Sequence, residues 1–144
     1  MRKTITAVAC AAAIAIPVAD AGAALNATAT PKKKIVTVTK TVAGPAAQAD
    51  RWGLVQVTLV VRKTTTIVGT RKTIKRKITA VRVPVYPNHT DRSVFINQQA
   101  LPLLVQETLT AQFTGGINMI SGASNTSDAF IQSLQGALSA ARRI

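Results

Sequence analysis

The chain has very few acidic residues, and this shortage bears on the sites it can build. Of its 144 residues, 5 are Asp or Glu and 18 are Lys or Arg, which gives a formal net charge of +13. With so few carboxylates, a pair of them acting as general acid and base is not expected. The cationic surplus instead favours polyanionic partners such as anionic lipid headgroups, acidic cell-wall polymers or nucleic acid.

Cysteine, histidine and aromatic residues are equally scarce. The single cysteine, Cys10, lies in a predicted export signal, so the exported chain would have no disulfide framework and no cysteine-based metal site or nucleophile. The single histidine, His89, has only Asp91 nearby as a candidate second ligand, and we predict neither a metal site nor a catalytic residue there. Aromatic residues make up 3% of the chain and none interleaves with the basic segments, which disfavours specific nucleic-acid binding.

The N-terminal region has the pattern of an export signal. Arg2 and Lys3 precede an apolar stretch from Ile5 to Ala19, and small residues follow. We therefore predict a signal peptide over 1–23 and an exported protein, extracytoplasmic or secreted, free or membrane-associated; an uncleaved anchor is the alternative. Residues 24–50 are rich in Ala, Thr and Lys and predict a disordered linker. Residues 51–144 are then one folded domain.

The first half of this domain favours strands. Val and Leu alternate in part between Trp52 and Val61, Thr64–Val68 is β-branched, and a second β-forming run extends from Thr73 to Tyr86. Gly69-Thr70 marks a turn, which predicts a long antiparallel hairpin. The clustered cations of this hairpin are Arg62, Lys63, Arg71, Lys72, Lys75, Arg76 and Lys77.

The second half favours two helices. Asp91–Ser93 leads into the first, and Pro102 is best tolerated near a first turn, so regular helix is expected from about Leu101. A short strand is expected at Ile117–Ile120. The last helix should begin near Ser124, with apolar residues recurring at spacings of three and four. The order predicts an α+β fold: a small, mainly antiparallel sheet with two packed helices and a long basic hairpin.

The stretch Ser121–Thr126 consists of small and polar residues directly before the last helix. Its Ser, Asn and Thr side chains are typical helix caps. Gly122 and Ala123 would also let a bulky group approach the unpaired N–H groups of the first turn, where anions bind. Spacing alone leaves a helix cap and an anion site as alternatives.

The segment Asn118–Thr126 resembles the motif of the FMN-binding domain family, Asp-x-x-Ser/Thr-Gly-Ala-Ser/Thr-x-Thr, in which the last Thr carries FMN through a phosphoester bond. Further stretches resemble the small, secreted branch of that family. They are Trp52-Gly53-x-Val55-Gln56-Val57, Arg92-Ser93-x-x-Ile96-Asn97, Ala100-Leu101-Pro102-x-Leu104 and Ile131–Gln135.

The resemblance implies an electron carrier with FMN as its cofactor, attached at Thr126. It implies that a separate flavin transferase loads FMN, and that the donor and acceptor of electrons lie in the membrane or envelope. The cofactor-binding residues implied are Thr126, Ser121, Gly122, Ala123, Ser124 and Asn125, with Asn118, Ser93 and Asn97 as further candidates. Helix capping is the alternative for Ser93 and Asn97.

Position 118 departs from the family pattern, because it is Asn where the family usually has Asp. Loss of this carboxylate would slow or prevent flavin loading if it orients the Thr or binds a metal, whereas an amide would serve equally if the residue only pairs with backbone. The alternative function is therefore a binding module without flavin that associates with anionic envelope surfaces, lipid or cell-wall polymer, through the basic hairpin. An enzyme that passes hydride from a small substrate to flavin ranks last, since no residue pair suggests acid–base chemistry.

Overall fold

The computed structural model describes residues 30–144, of which Lys34–Ile144 form one compact unit. Within the described residues, four strands and two α-helices follow one another. They are β1 (Lys33–Ala43), β2 (Ala47–Gln48), β3 (Leu54–Val68), β4 (Arg71–Val85), α1 (Asp91–Ala111) and α2 (Ser124–Ala141). The predicted signal peptide over 1–23 lies outside the described residues. No helix in the described range is both long enough and apolar enough to span a membrane.

The strands form one antiparallel sheet in which β3 is central, so the predicted α+β class is confirmed. Strand β4 pairs with β3 from Gln56↔Val85 to Val68↔Arg71, with the turn at Gly69-Thr70. The long basic hairpin is therefore present as predicted. Strands β1 and β2 also pair with β3, and β2 does so through Ala47↔Val55 and Gln48↔Leu54.

The region predicted to be a disordered linker, 24–50, is partly ordered in the structure. Its described portion contributes β1 and β2 to the sheet, and the compact unit begins at Lys34 rather than near residue 51. The prediction of disorder is wrong for these strands, because it weighed only the Lys, Ala and Thr content. Pairing with β3 satisfies the backbone N–H and C=O groups on one edge of a segment that buries little apolar surface of its own.

The core lies between one face of the sheet and the two helices. Alternate residues of β3 point into it, and Val55, Val57, Leu59 and Val61 are at most 1% exposed. Helix α2 packs on β3, while α1 packs on β4 and against α2. The predicted apolar face of α2 is confirmed, since its buried residues include Phe130, Leu134, Ala137, Leu138 and Ala141.

Helix α2 is held very close to the sheet at the break between β1 and β2. The N–H of Val57 donates to Ser133 Oγ at 2.8 Å, and the N–H of Gly44 donates to the Val57 carbonyl, also at 2.8 Å. A Cβ on Gly44 would collide with the Ser133 carbonyl, and a Cβ on Gly136 would collide with the Pro45 ring. These contacts fix the position of α2 relative to the central strand.

Helix α1 begins at Asp91, so the expectation that regular helix starts around Leu101 is wrong. Thr90 caps the helix, and its Oγ1 accepts a hydrogen bond from the Ser93 N–H at 3.1 Å. Pro102 lies inside the helix and on its exposed side. The carbonyl of Gln98 that Pro102 leaves without a helical donor belongs to an exposed residue, where water can replace the missing bond.

The short strand expected at Ile117–Ile120 is also absent from the described structure. Side chains take the place of a strand partner: the N–H of Asn118 donates to Glu107 Oε2 at 2.8 Å, and the N–H of Ile120 donates to Ser127 Oγ at 3.1 Å. Ile117 and Ile120 still pack against the core. Their apolar character therefore reflects burial in a loop rather than sheet pairing.

Candidate functional site

A cleft of about 590 Å³ opens where the start of α2 meets the first turns of α1. This volume lies within the usual range for ligand sites, ~300–1,000 Å³. The lining residues come from three separate parts of the chain. They are Arg51, Trp52, Pro87, Arg92, Ser93, Ile96, Asn97, Gly122, Ala123, Ser124, Asn125 and Thr126.

The N-terminus of α2 faces this cleft without a side-chain cap. The N-cap residue is Ala123, which has no hydroxyl, and no side chain accepts a hydrogen bond at the cap. In the first backbone hydrogen bond of the helix, the Ser127 N–H donates to the Ala123 carbonyl at 2.9 Å. The interpretation of Ser121–Thr126 as a helix cap is therefore wrong. The N–H groups of the first turn instead belong to residues that line the cleft, where an anion can accept them.

Gly122 gives the cleft an open rim. Its φ is +85°, which side-chain-bearing residues rarely adopt, and a Cβ placed on it would meet no atom within 4 Å. Ser124 and Asn125 are exposed beside it, whereas Ala123 is buried. The backbone here is accessible to a ligand, because neither Gly122 nor Ala123 carries a side chain that would obstruct approach.

Thr126 carries a buried hydroxyl of the cleft and is tied to α1. Only 8% of Thr126 is exposed, and its Oγ1 donates to Asn97 Oδ1 at 2.9 Å. Asn97 is 1% exposed, and its Nδ2 donates to the Pro87 carbonyl at 2.7 Å. One buried amide thus links the loop before α1, α1 itself and the first turn of α2, and it holds the Thr126 oxygen at a fixed place.

The lining of the cleft includes both cationic and apolar side chains. Arg51 and Arg92 supply two guanidinium groups, and none of the described residues lining the cleft is acidic. The Arg51 guanidinium carbon lies 5.2 Å from the centre of the Trp52 ring, a cation–π distance. Trp52, Pro87 and Ile96 provide apolar lining. The site combines the chemistry for a phosphate with surface for a flat, apolar group.

The structure brings together seven of the nine residues predicted from sequence. Gly122, Ala123, Ser124, Asn125 and Thr126 line the cleft together with Ser93 and Asn97. Ser121 is exposed and is not among the lining residues. Asn118 lies elsewhere, in a groove of about 610 Å³ beside Glu107 and Ile120.

Five lining residues were not among the site residues predicted from sequence: Arg51, Trp52, Pro87, Arg92 and Ile96. Arg51 belongs to a short 3₁₀ turn, Asp50–Trp52, directly before the central strand, and no local pattern links it to α2. Ile96 directly precedes Asn97, so its position in the chain was an available signal, whereas Pro87 meets Asn97 only through the fold. His89 is exposed and does not line the cleft. Within residues 30–144, no group of three His, Cys, Asp or Glu residues is placed to hold a metal ion.

No protein-family model and no curated protein matches the chain.

Proposed function

We propose that this protein is an exported electron carrier that binds FMN in the cleft at the start of α2, with the phosphate attached to Thr126. One observation carries the proposal: five residues of the nine-residue motif, Gly122 to Thr126, line the same cleft as two arginines and an aromatic side chain, while Ser121 and Asn118 do not line it. The arginines and the aromatic side chain belong to other segments of the chain, so the motif did not select them.

The phosphate would be held by the first turn of α2 and the two arginines. Ala123 leaves the helix N-terminus uncapped, and the partial positive charge of that terminus favours an anion. Arg51 and Arg92 add full charges, and a guanidinium can bond two phosphate oxygens at once. Lack of an acidic side chain among the described lining residues leaves this attraction unopposed.

The flavin ring would lie against the apolar part of the lining. Trp52, Pro87 and Ile96 supply this surface, and an aromatic ring favours offset stacking with another flat ring. A bound flavin would supply one-electron and two-electron transfer. The protein would bind the cofactor, orient it and partly exclude water, and the redox donor and acceptor would be other proteins of the membrane or envelope.

Thr126 is the residue suited to covalent attachment. In loading by a flavin transferase, the Thr126 hydroxyl would lose its proton and form the bond to phosphorus, while the pyrophosphate bond of FAD breaks and AMP leaves. Asn97 Oδ1 accepts the hydrogen of that hydroxyl at 2.9 Å and so fixes its orientation. Covalent attachment suits an exported protein, since a dissociated cofactor would be lost by dilution.

Residue 118 lacks the carboxylate of the family pattern, but the neighbouring Glu107 carries one. Glu107 Oε2 accepts the Asn118 N–H at 2.8 Å, and Asn118 is exposed. A carboxylate therefore lies beside this position even though residue 118 is an amide. We expect Asn118→Asp to load FMN at least as well as the natural chain, and Glu107→Gln to load less.

The test is the intact mass of the protein produced in a host that exports it and has a flavin transferase. The expected mass gain is one FMN unit, lost in Thr126→Ala and kept in Ser124→Ala, which is the matched control on the same turn. Arg92→Gln should reduce noncovalent FMN binding to the Thr126→Ala protein by about tenfold or more, because a hydrogen bond to a charged group contributes ~1.5–3 kcal/mol. Apoprotein alone after incubation with transferase and FAD would overturn covalent loading. FMN binding unaffected by Arg92→Gln would overturn the site.

A further inference from the structure

The distal half of the hairpin and the strand beside it form a strongly basic surface. We define the basic ribbon as residues 33–40 of β1, 62–68 of β3 and 71–77 of β4. No Asp or Glu occurs in these three segments. Their ten cations are Lys33, Lys34, Lys40, Arg62, Lys63, Arg71, Lys72, Lys75, Arg76 and Lys77.

Cations face each other across the strands of the ribbon. Arg62 is directly opposite Lys77, and Lys63 is directly opposite Arg76. Like charges at directly opposed positions destabilise a sheet. Arg76 offsets part of this by donating to the Ile144 carbonyl at 3.1 Å. A bound polyanion would relieve the remaining repulsion, so the folded ribbon is better suited to a negatively charged partner than to water alone.

The same ribbon also exposes apolar side chains. Val36, Val38 and Ile74 are 40%, 43% and 39% exposed. In β4, Ile74 lies four residues before Ile78, which is buried in the core. Because residues at even spacing share one side of a strand, both point to the same side of the sheet. Val36 and Val38 are likewise at even spacing from Val42, which packs against the core, so all three lie on one side of β1. The core side of the sheet thus continues into the ribbon as an exposed face.

This face carries apolar and cationic residues on the same side of each strand. Lys34 and Lys40 share the alternation of Val36 and Val38 in β1, and Lys72 shares that of Ile74 in β4. Past Val61 in β3 and before Ile78 in β4, no residue of either strand is buried. A partner that is anionic and also accepts apolar side chains would match this face on both counts.

We propose that the basic ribbon binds the surface of an anionic lipid bilayer. Its cations would lie at the headgroup phosphates, and Val36, Val38 and Ile74 would enter the interface between headgroups and acyl chains. Polybasic segments gain about fivefold in membrane affinity per Lys or Arg near the surface. A nucleic acid fits less well, because the ribbon has no aromatic residue to stack on bases and would leave these apolar side chains in water.

The experiment is partition of the full chain onto vesicles of phosphatidylcholine with and without phosphatidylglycerol, at low and physiological salt. Every variant carries the same N-terminal segment, so differences between variants report the ribbon. Lys34→Gln/Lys63→Gln/Lys72→Gln should lower partition onto the anionic vesicles by about tenfold to a hundredfold. Arg82→Gln/Arg143→Gln, which neutralises exposed cations outside the ribbon, should change it less than about fivefold.

A second variant separates a bilayer from a soluble polyanion. Val36→Thr/Val38→Thr/Ile74→Thr keeps the strand preference and the charge, and should lower vesicle partition by about fivefold or more while retention on duplex DNA is unchanged. Unchanged vesicle partition in this variant would overturn the proposal in favour of a soluble polyanion. An equal loss in the Arg82/Arg143 control would also overturn it, because net charge alone would then be responsible. Circular dichroism checks that each variant is folded. None of these outcomes depends on flavin.

Discussion

The cleft and the basic ribbon use polar residues in opposite ways. In the cleft, Asn97 and Thr126 are buried, and each polar atom is directed at a named partner. In the ribbon, cations such as Arg62 and Lys77 are exposed and face another cation. Burial imposes a requirement for hydrogen bonding that solvent exposure does not. The cleft is therefore fixed by contacts within the protein, whereas the ribbon leaves its charges available to a partner.

The largest expected difference between these regions is in the cost of removing an apolar side chain. Leu59 and Ile74 lie on the same hairpin, but Leu59 is 0% exposed and Ile74 is 39% exposed. Leu59→Ala should lower the free energy of unfolding by ~2–5 kcal/mol. Ile74→Ala should lower it by less than ~1 kcal/mol. Urea unfolding measures both, and equal losses would mean that the ribbon is packed in solution.

A smaller change in stability, opposite in sign to the usual one, is expected where α2 touches the break between β1 and β2. Gly→Ala inside a helix ordinarily adds ~1 kcal/mol of stability. Gly136→Ala should instead destabilise by ~1–3 kcal/mol, because the new Cβ would collide with the Pro45 ring. Gly116→Ala is the control, since its Cβ would meet nothing within 4 Å, and its change should stay within ~0.5 kcal/mol. Stabilisation by Gly136→Ala would contradict the close packing.

The next effect tests the buried hydrogen bond of the cleft. Thr126→Val preserves shape but removes the donor to Asn97 Oδ1, which should cost ~1–3 kcal/mol in the apoprotein. Thr126→Ser should retain most of the stability, because it keeps the hydroxyl. Thr66→Val in the ribbon is the matched control and should be neutral or slightly stabilising, since Val favours strands. If both Thr→Val changes prove neutral in thermal unfolding, the cleft hydrogen bond does not contribute.

The smallest effect concerns the repulsion inside the ribbon. Lys77→Glu replaces a like-charge pair with an opposite-charge pair across from Arg62, and should stabilise the fold by ~0.2–1 kcal/mol at low salt. Lys77→Gln should give about half of this gain. Salt near 1 M should remove the difference between the variants, because exposed charges then interact only over ~3 Å. A gain that persists at high salt would point to packing rather than charge.

Local patterns were sufficient for the elements whose signal is local. The β-branched runs on either side of Gly69-Thr70 predicted the hairpin, and the apolar spacing after Ser124 predicted α2 and its buried face. The same approach failed for β1, whose Lys and Thr content resembles a linker until it pairs with β3. It also misplaced the start of α1, because Pro102 is tolerated on an exposed helix side that the sequence could not identify.

In the candidate site, too, some residues could be predicted from local sequence and others only from the fold. The stretch Ser121–Thr126 could be selected from its small residues and its position before a helix, although Ser121 does not line the cleft, and the resemblance added Thr126 as the expected attachment point. Arg51 could not be selected, because its approach to the cleft depends on the turn before β3 and on how α2 lies across the sheet. The contact between Asn97 and Thr126 likewise joins two residues that lie 29 positions apart in the chain and on different helices.

The sequence by itself determined the hairpin, the two helical segments and the excess of positive charge. Each follows from neighbouring residues through propensity, periodicity or simple composition. Only the tertiary structure decided which polar groups are buried together in the cleft and which cations face each other in the ribbon. Both depend on strand register and helix packing, which bring together residues distant in sequence.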